Sequence, residues 1–144
     1  MFLFTNRKRI IKKAIKKTIK QVQGRQPKIY EHFYYGAFEQ APQYLVVWYL
    51  FETDLELERA KESGYCDELE KITVDNLILL GYPKEAFELT KKDIPTDKIT
   101  FKGGTKEDIE ELLFSLTNKK AMVCFTTKED IDNRTNGDYR LYFQ

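Results

Sequence analysis

The chain has 144 residues, 42% of them hydrophobic, which suits one domain with its own core. Its two cysteines, Cys66 and Cys124, lack CxxC spacing, so the composition argues against a zinc knuckle or a disulfide framework and favours free thiols. No run reaches the roughly 18 apolar residues of a membrane span, and residues 1–4 are too short for a signal peptide, so we predict a cytoplasmic protein.

The net charge of +1 conceals a strong imbalance along the chain. Residues 1–28 carry ten Lys or Arg and no acid, whereas residues 29–144 carry fourteen basic and twenty-three acidic side chains. The sequence therefore predicts a single domain that consists of a basic N-terminal helix, residues 1–24, and an acidic body, residues 29–144.

Residues 6–23 carry the clearest helical pattern of the chain. At about 100° per residue, one half of this helix is apolar and the other half is lysine. The apolar half contains Ile10, Ile11, Ala14, Ile15, Thr18, Ile19 and Val22, and the opposite half contains Lys12, Lys13, Lys16, Lys17 and Lys20. Thr5 or Asn6 is expected to cap the start, and Gly24 is expected to end the helix in the left-handed conformation.

We expect the apolar half of this helix to pack on a sheet and the lysine half to face solvent or the acidic body. Three other hypotheses remain open: contact with nucleic-acid phosphates, a position on a membrane surface, and binding to an acidic groove of a partner protein. The apolar half lacks the Trp, Phe and Leu of membrane-surface helices. No Asn or Gln among the five lysines could read bases, so a nucleic acid would be held through its phosphates.

Five further segments have the alternation or the β-branched and aromatic content of strands. The predicted strands are residues 28–39, 44–52, 98–102, 121–126 and 138–143, and the predicted helices after the first are residues 54–63, 66–80, 105–117 and 127–134. The alternation of Leu55 and Leu57 with acids leaves open that the second strand continues to about residue 57. The first strand could also be a short helix opened by Pro27, but Gly36 and the Tyr and Phe content favour a strand.

The order of these elements predicts one α+β domain. Its sheet is expected to be mostly antiparallel with about five strands, the first two forming a hairpin, and the helices are expected to pack largely on one face of the sheet. Residues 84–97 are predicted to be mainly loop, with a helical turn near the start, and Asn136-Gly137 is predicted to form a turn before the last strand.

Aromatic residues concentrate in residues 29–52, which hold nine of the twenty and the only Trp, Trp48. Packing in the core and at the sheet edge explains most of them. Exposed tyrosines are also common anchors of protein interfaces, so Tyr30, Tyr34 and Tyr35 are the candidate partner-binding residues.

No catalytic or cofactor motif is present. His32 is the single histidine and has no clustered Cys or second His, so a packed or surface role is expected rather than a metal or general-base role. The glycine-rich turn at residues 102–106 lacks the GxxxxGK[ST] spacing of a nucleotide-binding loop. TKEDI occurs at residues 105–109 and 127–131, and helix capping by Thr explains it better than a cation site would.

These observations favour a binding protein over an enzyme, with no cofactor and no metal. The first hypothesis is an inhibitor or immunity-type protein that recognises a protein partner through its acidic body and Tyr-rich strands. The alternative is a nucleic-acid-associated accessory protein whose phosphate-contacting residues are Lys12, Lys13, Lys16, Lys17 and Lys20 of the first helix. The sequence does not specify an oligomeric state.

Overall fold

A three-stranded sheet lies at the centre of the computed structural model, which describes residues 6–88 and 120–143. Its strands are β1 (Glu31–Tyr35), β2 (Val46–Phe51) and β3 (Met122–Thr127), in the order β1-β2-β3. β1 and β2 are antiparallel neighbours with Phe33 opposite Trp48, as the predicted hairpin requires. β2 and β3 are parallel, with Val47 opposite Val123.

This mixed sheet shows that the prediction of a mostly antiparallel, five-stranded sheet is wrong. Between β2 and β3 the described residues form α2 (Asp54–Glu62) and α3 (Tyr65–Leu79), and a connection of 70 residues, 52–121, is long enough to return the chain to the end of the sheet from which β2 began. β3 therefore runs parallel to β2. The predicted strand at residues 98–102 and the predicted helix at residues 105–117 lie outside the described residues.

The predicted last strand is also wrong, because this segment forms α5, a one-turn helix at Tyr139–Tyr142. The carboxylate of Asp138 accepts from the backbone N–H groups of Arg140 and Leu141 at 3.0 and 3.3 Å, which fixes a helical start. The ring of Phe143 then packs on the sheet, with its centroid 4.9 Å from those of Phe33 and Trp48. These ring contacts hold the half-buried end of the segment against the sheet, so it packs there as a helix and not as a strand.

The other helices follow their predicted positions closely. They are α1 (Arg7–Gln21), α2 (Asp54–Glu62), α3 (Tyr65–Leu79) and α4 (Lys128–Thr135). Short 3-10 turns lie at Pro42–Tyr44 and Lys84–Phe87. Asn6 precedes α1 without a side-chain cap bond, and Gly24 beyond its end has a φ of +86°. The turn at Asn136-Gly137 is confirmed, with both residues in the left-handed region.

α1, α2 and α3 pack on one face of the sheet, and α5 packs on the other. The first face presents Val47, Tyr49 and Phe51 of β2, all 0% exposed. Because alternate residues of a strand point to opposite faces, Trp48 points away from these helices and towards α5. No helix in the described ranges is long and apolar enough to cross a bilayer.

A buried polar network joins α1 to α3 and to the sheet. The side-chain amide of Asn76 donates to Thr18 Oγ1 at 2.9 Å and to Gln21 Oε1 at 2.8 Å. The hydroxyl of Tyr49 shares a hydrogen bond of 2.7 Å with Thr73 Oγ1, and burial raises the pKa of Tyr49 to about 12. Since each of these polar groups has a partner, α1 is fixed in one position on the core.

Candidate binding groove

A large groove runs between the C-terminal half of α1, the loop that follows it, and β1. Its volume is about 1260 Å³. We call it the basic groove, because among the described residues that line it five are Lys or Arg and none is Asp or Glu. These five are Lys12, Lys16, Lys20, Arg25 and Lys28. Such a surface attracts groups of negative charge.

The bottom of the basic groove is aliphatic. This aliphatic floor consists of Ile15, Ile19, Val22 and Ile29. The first three recur at helical spacing on α1, and they extend the apolar half of that helix towards its C-terminal end. Ile19 and Ile29 are only partly buried, so part of this apolar surface remains open to a ligand.

One wall of the basic groove is a row of three lysines, Lys12, Lys16 and Lys20. We call them the lysine row. Residues four apart lie on one side of a helix and are separated by about 6 Å along its axis, so the row spans about 12 Å. All three side chains are exposed, and none forms a salt bridge within 4 Å in the described part of the chain.

Arg25 closes one end of the basic groove. Its guanidinium lies 2.8 Å from the carboxylate of Glu68 and 4.5 Å from the ring centroid of Tyr65. Gly24 precedes it, with a φ that residues with a side chain rarely adopt, and allows the chain to turn sharply from α1 into the loop. Because Glu68 balances the charge of Arg25, the attraction for an anion comes mainly from the lysines.

The other wall is formed by β1, through His32, Phe33 and Tyr34. Desolvation lowers the pKa of His32, and the neighbouring Glu31 opposes this shift only in part, so the imidazole is mainly neutral at pH 7. The ring of Tyr34 lies 5.9 Å from that of Phe38 and is half-buried. This wall is therefore aromatic and uncharged at neutral pH.

The structure places the two predicted sets of site residues differently. Of the five candidate phosphate-contacting lysines, the lysine row lines the basic groove, whereas Lys13 and Lys17 are exposed on α1 outside its lining. Of the candidate partner-binding tyrosines, Tyr34 lines the groove. Tyr35 lies on the opposite face of β1, where its hydroxyl accepts from Trp48 Nε1 at 3.0 Å, and Tyr30 is 47% exposed outside the groove lining.

Sequence reasoning missed several groove residues as candidates. Arg25 and Lys28 belong to the acid-free first 28 residues, so the charge imbalance could have indicated them. His32 was expected to be a packed or surface residue rather than a metal ligand or general base, and a place in a binding groove was not considered. Ile29 and Tyr65 carried no signal, because their part in the groove depends on how α1 and α3 pack beside β1.

The Thr and the acidic residues at the starts of α2 and α4 cap these helices. Thr53 forms a capping box with Glu56, and Thr127 accepts from the backbone N–H of Asp130 at 2.9 Å. The two starts also bind each other, since Glu129 Oε1 accepts from the backbone N–H of Asp54 at 2.8 Å. The repeat at residues 105–109 lies outside the described ranges.

The carboxylates of Glu56 and Glu129 accept hydrogen bonds from backbone N–H groups, so they do not surround an open space for a cation. Within residues 6–88 and 120–143, no three His, Cys, Asp or Glu side chains form a group that could hold a metal ion. Both cysteines are free thiols, and burial raises the pKa of Cys66 to about 11 and raises that of Cys124. Neither is activated as a nucleophile.

Comparisons of the chain with protein-family models, with curated proteins and with solved structures find no match.

Proposed function

We propose that the protein binds another protein without catalysing a reaction, and that the partner occupies the basic groove. The observation that carries this proposal is the combination of an aliphatic floor and a lysine row in one groove of about 1260 Å³. Apolar burial supplies most of the affinity in such a site, and charge at the edge directs the partner and speeds association. Within residues 6–88 and 120–143, the groove lining contains no Asp, Glu, Ser or Cys to act as a nucleophile or carboxylate base.

The aliphatic floor favours a protein partner over a nucleic acid. Bases bind by stacking on the open faces of aromatic rings. In the described groove lining Tyr65 is only 2% exposed and is covered by Arg25, and Phe33 and Tyr34 are half-buried. The imidazole of His32 is the one exposed ring among these described residues. Aliphatic side chains of a partner match the floor better, since they lose apolar surface to water on both sides of the contact.

Nucleic-acid association is the second candidate, and one observation favours it. All six lysines of α1 are exposed, and none forms a salt bridge within the described ranges. A nucleic acid would use this whole charged half of α1, because phosphate attraction depends on total charge more than on a groove. The two candidates therefore predict different effects of lysines inside and outside the groove lining.

Binding through the acidic body is a further proposal, with the exposed acids of α2 and α3 as its contact surface. Glu58 and Glu62 of α2 and Asp67 of α3 are exposed, and Leu55 beside them is 54% exposed. A cationic partner would contact this surface. The tyrosines offered for such an interface lie on different faces of β1, so the groove has the better support.

Site-specific photo-crosslinking tests the proposal. Gln23, exposed and part of the groove lining, and Glu62, exposed on α2, would each be replaced by p-benzoylphenylalanine in the full chain. After irradiation in host lysate, we expect a defined protein to crosslink at position 23 and not at position 62. Crosslinking at position 62 alone would mean that the partner binds the acidic body and not the groove. If no protein crosslinks at either position, the proposal is refuted.

Two matched triple variants separate a protein partner from a nucleic acid. K12Q/K16Q/K20Q removes the lysine row, and R9Q/K13Q/K17Q removes three charges from exposed positions of α1 outside the groove lining. In the background of the position 23 crosslinker, only the first variant should reduce the protein adduct. Equal losses from both variants, with nucleic acid recovered in the adduct, would favour the second candidate.

A further inference from the structure

The lysine row has a regular spacing that limits the shape of an anionic ligand. Lys12, Lys16 and Lys20 occupy successive i, i+4 positions of α1, so their attachment points repeat about every 6 Å along the helix axis. Acidic residues at i, i+4 positions of a second helix repeat at the same distance. A helix lying alongside α1 therefore brings three carboxylates opposite three ammonium groups without a change in register.

The groove is also large enough for such a helix. Two turns of α-helix are about 11 Å long and about 10 Å across with side chains, a cylinder of roughly 850 Å³. The groove volume of about 1260 Å³ exceeds this value, so the space between α1 and β1 is sufficient in volume for two turns. The length of two turns is close to the span of the lysine row.

The chemistry of the walls sets the polarity of the ligand. The aliphatic floor requires apolar side chains on the face that enters the groove, and the lysine row requires acids on the adjoining face. No acid in the described part of the chain lines the groove, and Arg25 already pairs with Glu68, so the lysines would repel a basic ligand. A polar acidic ligand without apolar groups would leave the aliphatic floor without apolar contacts.

Resting on the proposed function, we infer that the partner segment is an acidic amphipathic helix of at least two turns, lying alongside α1 in the basic groove. Its apolar face contacts Ile19 and Ile29, and its Asp or Glu residues at i, i+4 spacing pair with the lysine row. The same helix-in-groove arrangement is a common mode of peptide recognition.

Fluorescence anisotropy with labelled 16-residue peptides and the intact protein tests this inference. The first peptide carries Leu and Glu on adjoining helical faces, the second has the same composition in permuted order, and the third has Lys in place of each Glu. A single-stranded 20-mer DNA is the fourth probe. We expect the first peptide to bind at least about tenfold more tightly than the other three probes, since only it matches both the floor and the row.

The same titration with the two triple variants assigns the binding to the groove. K12Q/K16Q/K20Q should weaken the first peptide by about tenfold, and R9Q/K13Q/K17Q should change its affinity by less than about threefold. Circular dichroism would verify that both variants keep the helix content of the parent protein. Equal binding of the first two peptides would overturn the helical spacing, and tighter binding of the Lys peptide or the DNA would overturn the acidic helix as occupant. Absence of peptide binding would overturn it too.

The two experiments fail in distinguishable ways. If a protein crosslinks at position 23 but the acidic peptide does not bind preferentially, the proposed function stands and the inferred helix is wrong. If no protein crosslinks there, both are wrong.

Discussion

The two halves of α1 contact different surroundings, although they alternate along the same fifteen residues. On one half Ile11 and Ala14 are 0% exposed and belong to the core that also contains Leu77 of α3. On the other half the lysines project into solvent, and the lysine row lines the basic groove. The apolar half holds α1 on the core, and the lysine half therefore presents its charges at fixed positions.

This arrangement means that the core determines the geometry of the candidate site. A charged row on a helix that is held by buried contacts keeps its spacing before any ligand arrives, and a preorganised site loses less entropy on binding. It also means that deletion of α1 cannot test its binding role, because the deletion would remove part of the core. Point changes on each half separate the two contributions.

The largest effect is expected from Ile11→Ala, which acts on the buried half. The substitution removes apolar contacts at a position with 0% exposure, so it should lower the free energy of unfolding by about 2–5 kcal/mol. Urea denaturation followed by circular dichroism measures this loss. Lys13→Ala on the exposed half is the control and should change stability by less than about 0.5 kcal/mol. Similar losses for both would contradict the division of α1 into two halves.

Asn76→Ala should have a smaller effect on the same half. The change removes the two hydrogen bonds that join α3 to Thr18 and Gln21 of α1, and it should cost about 1–3 kcal/mol because Asn76 is only 5% exposed. Asp75→Ala, at the exposed neighbouring position, is the matched control, and its urea midpoint should be nearly that of the parent. An unchanged midpoint for Asn76→Ala would mean that apolar contacts alone hold α1.

The sequence predicted α1 well because its pattern is long and strongly periodic. Fifteen residues allow the 3.6-residue repeat to be distinguished from alternation. The segment at residues 138–143 is too short for that distinction. Tyr139, Leu141 and Phe143 alternate as in a strand, but Tyr139 and Phe143 are also spaced i, i+4, and the Asp138 cap and the ring contacts of Phe143 decide for the helix.

Neither the direction of β3 nor the existence of the basic groove could be predicted from the sequence, and the reason is the same for both. Strand content was predicted at residues 121–126, yet whether β3 runs parallel or antiparallel depends on which strand it pairs with and on the path of the connection. In the same way the lysines of α1 were recognised, but only the position of α1 beside β1 separates Lys12 and Lys16 from Lys13 and Lys17. Contacts between segments distant in sequence decide both features.

The smallest expected effect on stability, and of opposite sign, comes from K12Q/K16Q/K20Q. These lysines repeat at i, i+4 and repel one another, and each like-charge pair destabilises a helix by roughly 0.2–0.5 kcal/mol. Gln and Lys have similar helix propensities, so the triple variant should unfold at a slightly higher urea concentration than the parent protein in dilute buffer.

The salt dependence of this gain in stability identifies its cause. The repulsion is between exposed charges, so the difference in urea midpoint should shrink when the ionic strength is raised to 1 M. A clear loss of stability would instead mean that the lysine row pairs with acids of this chain, which would contradict its exposure and leave the groove without free charge. If the triple variant gains stability and loses peptide binding, the charges of the lysine row lower the stability of the protein and are retained because binding needs them.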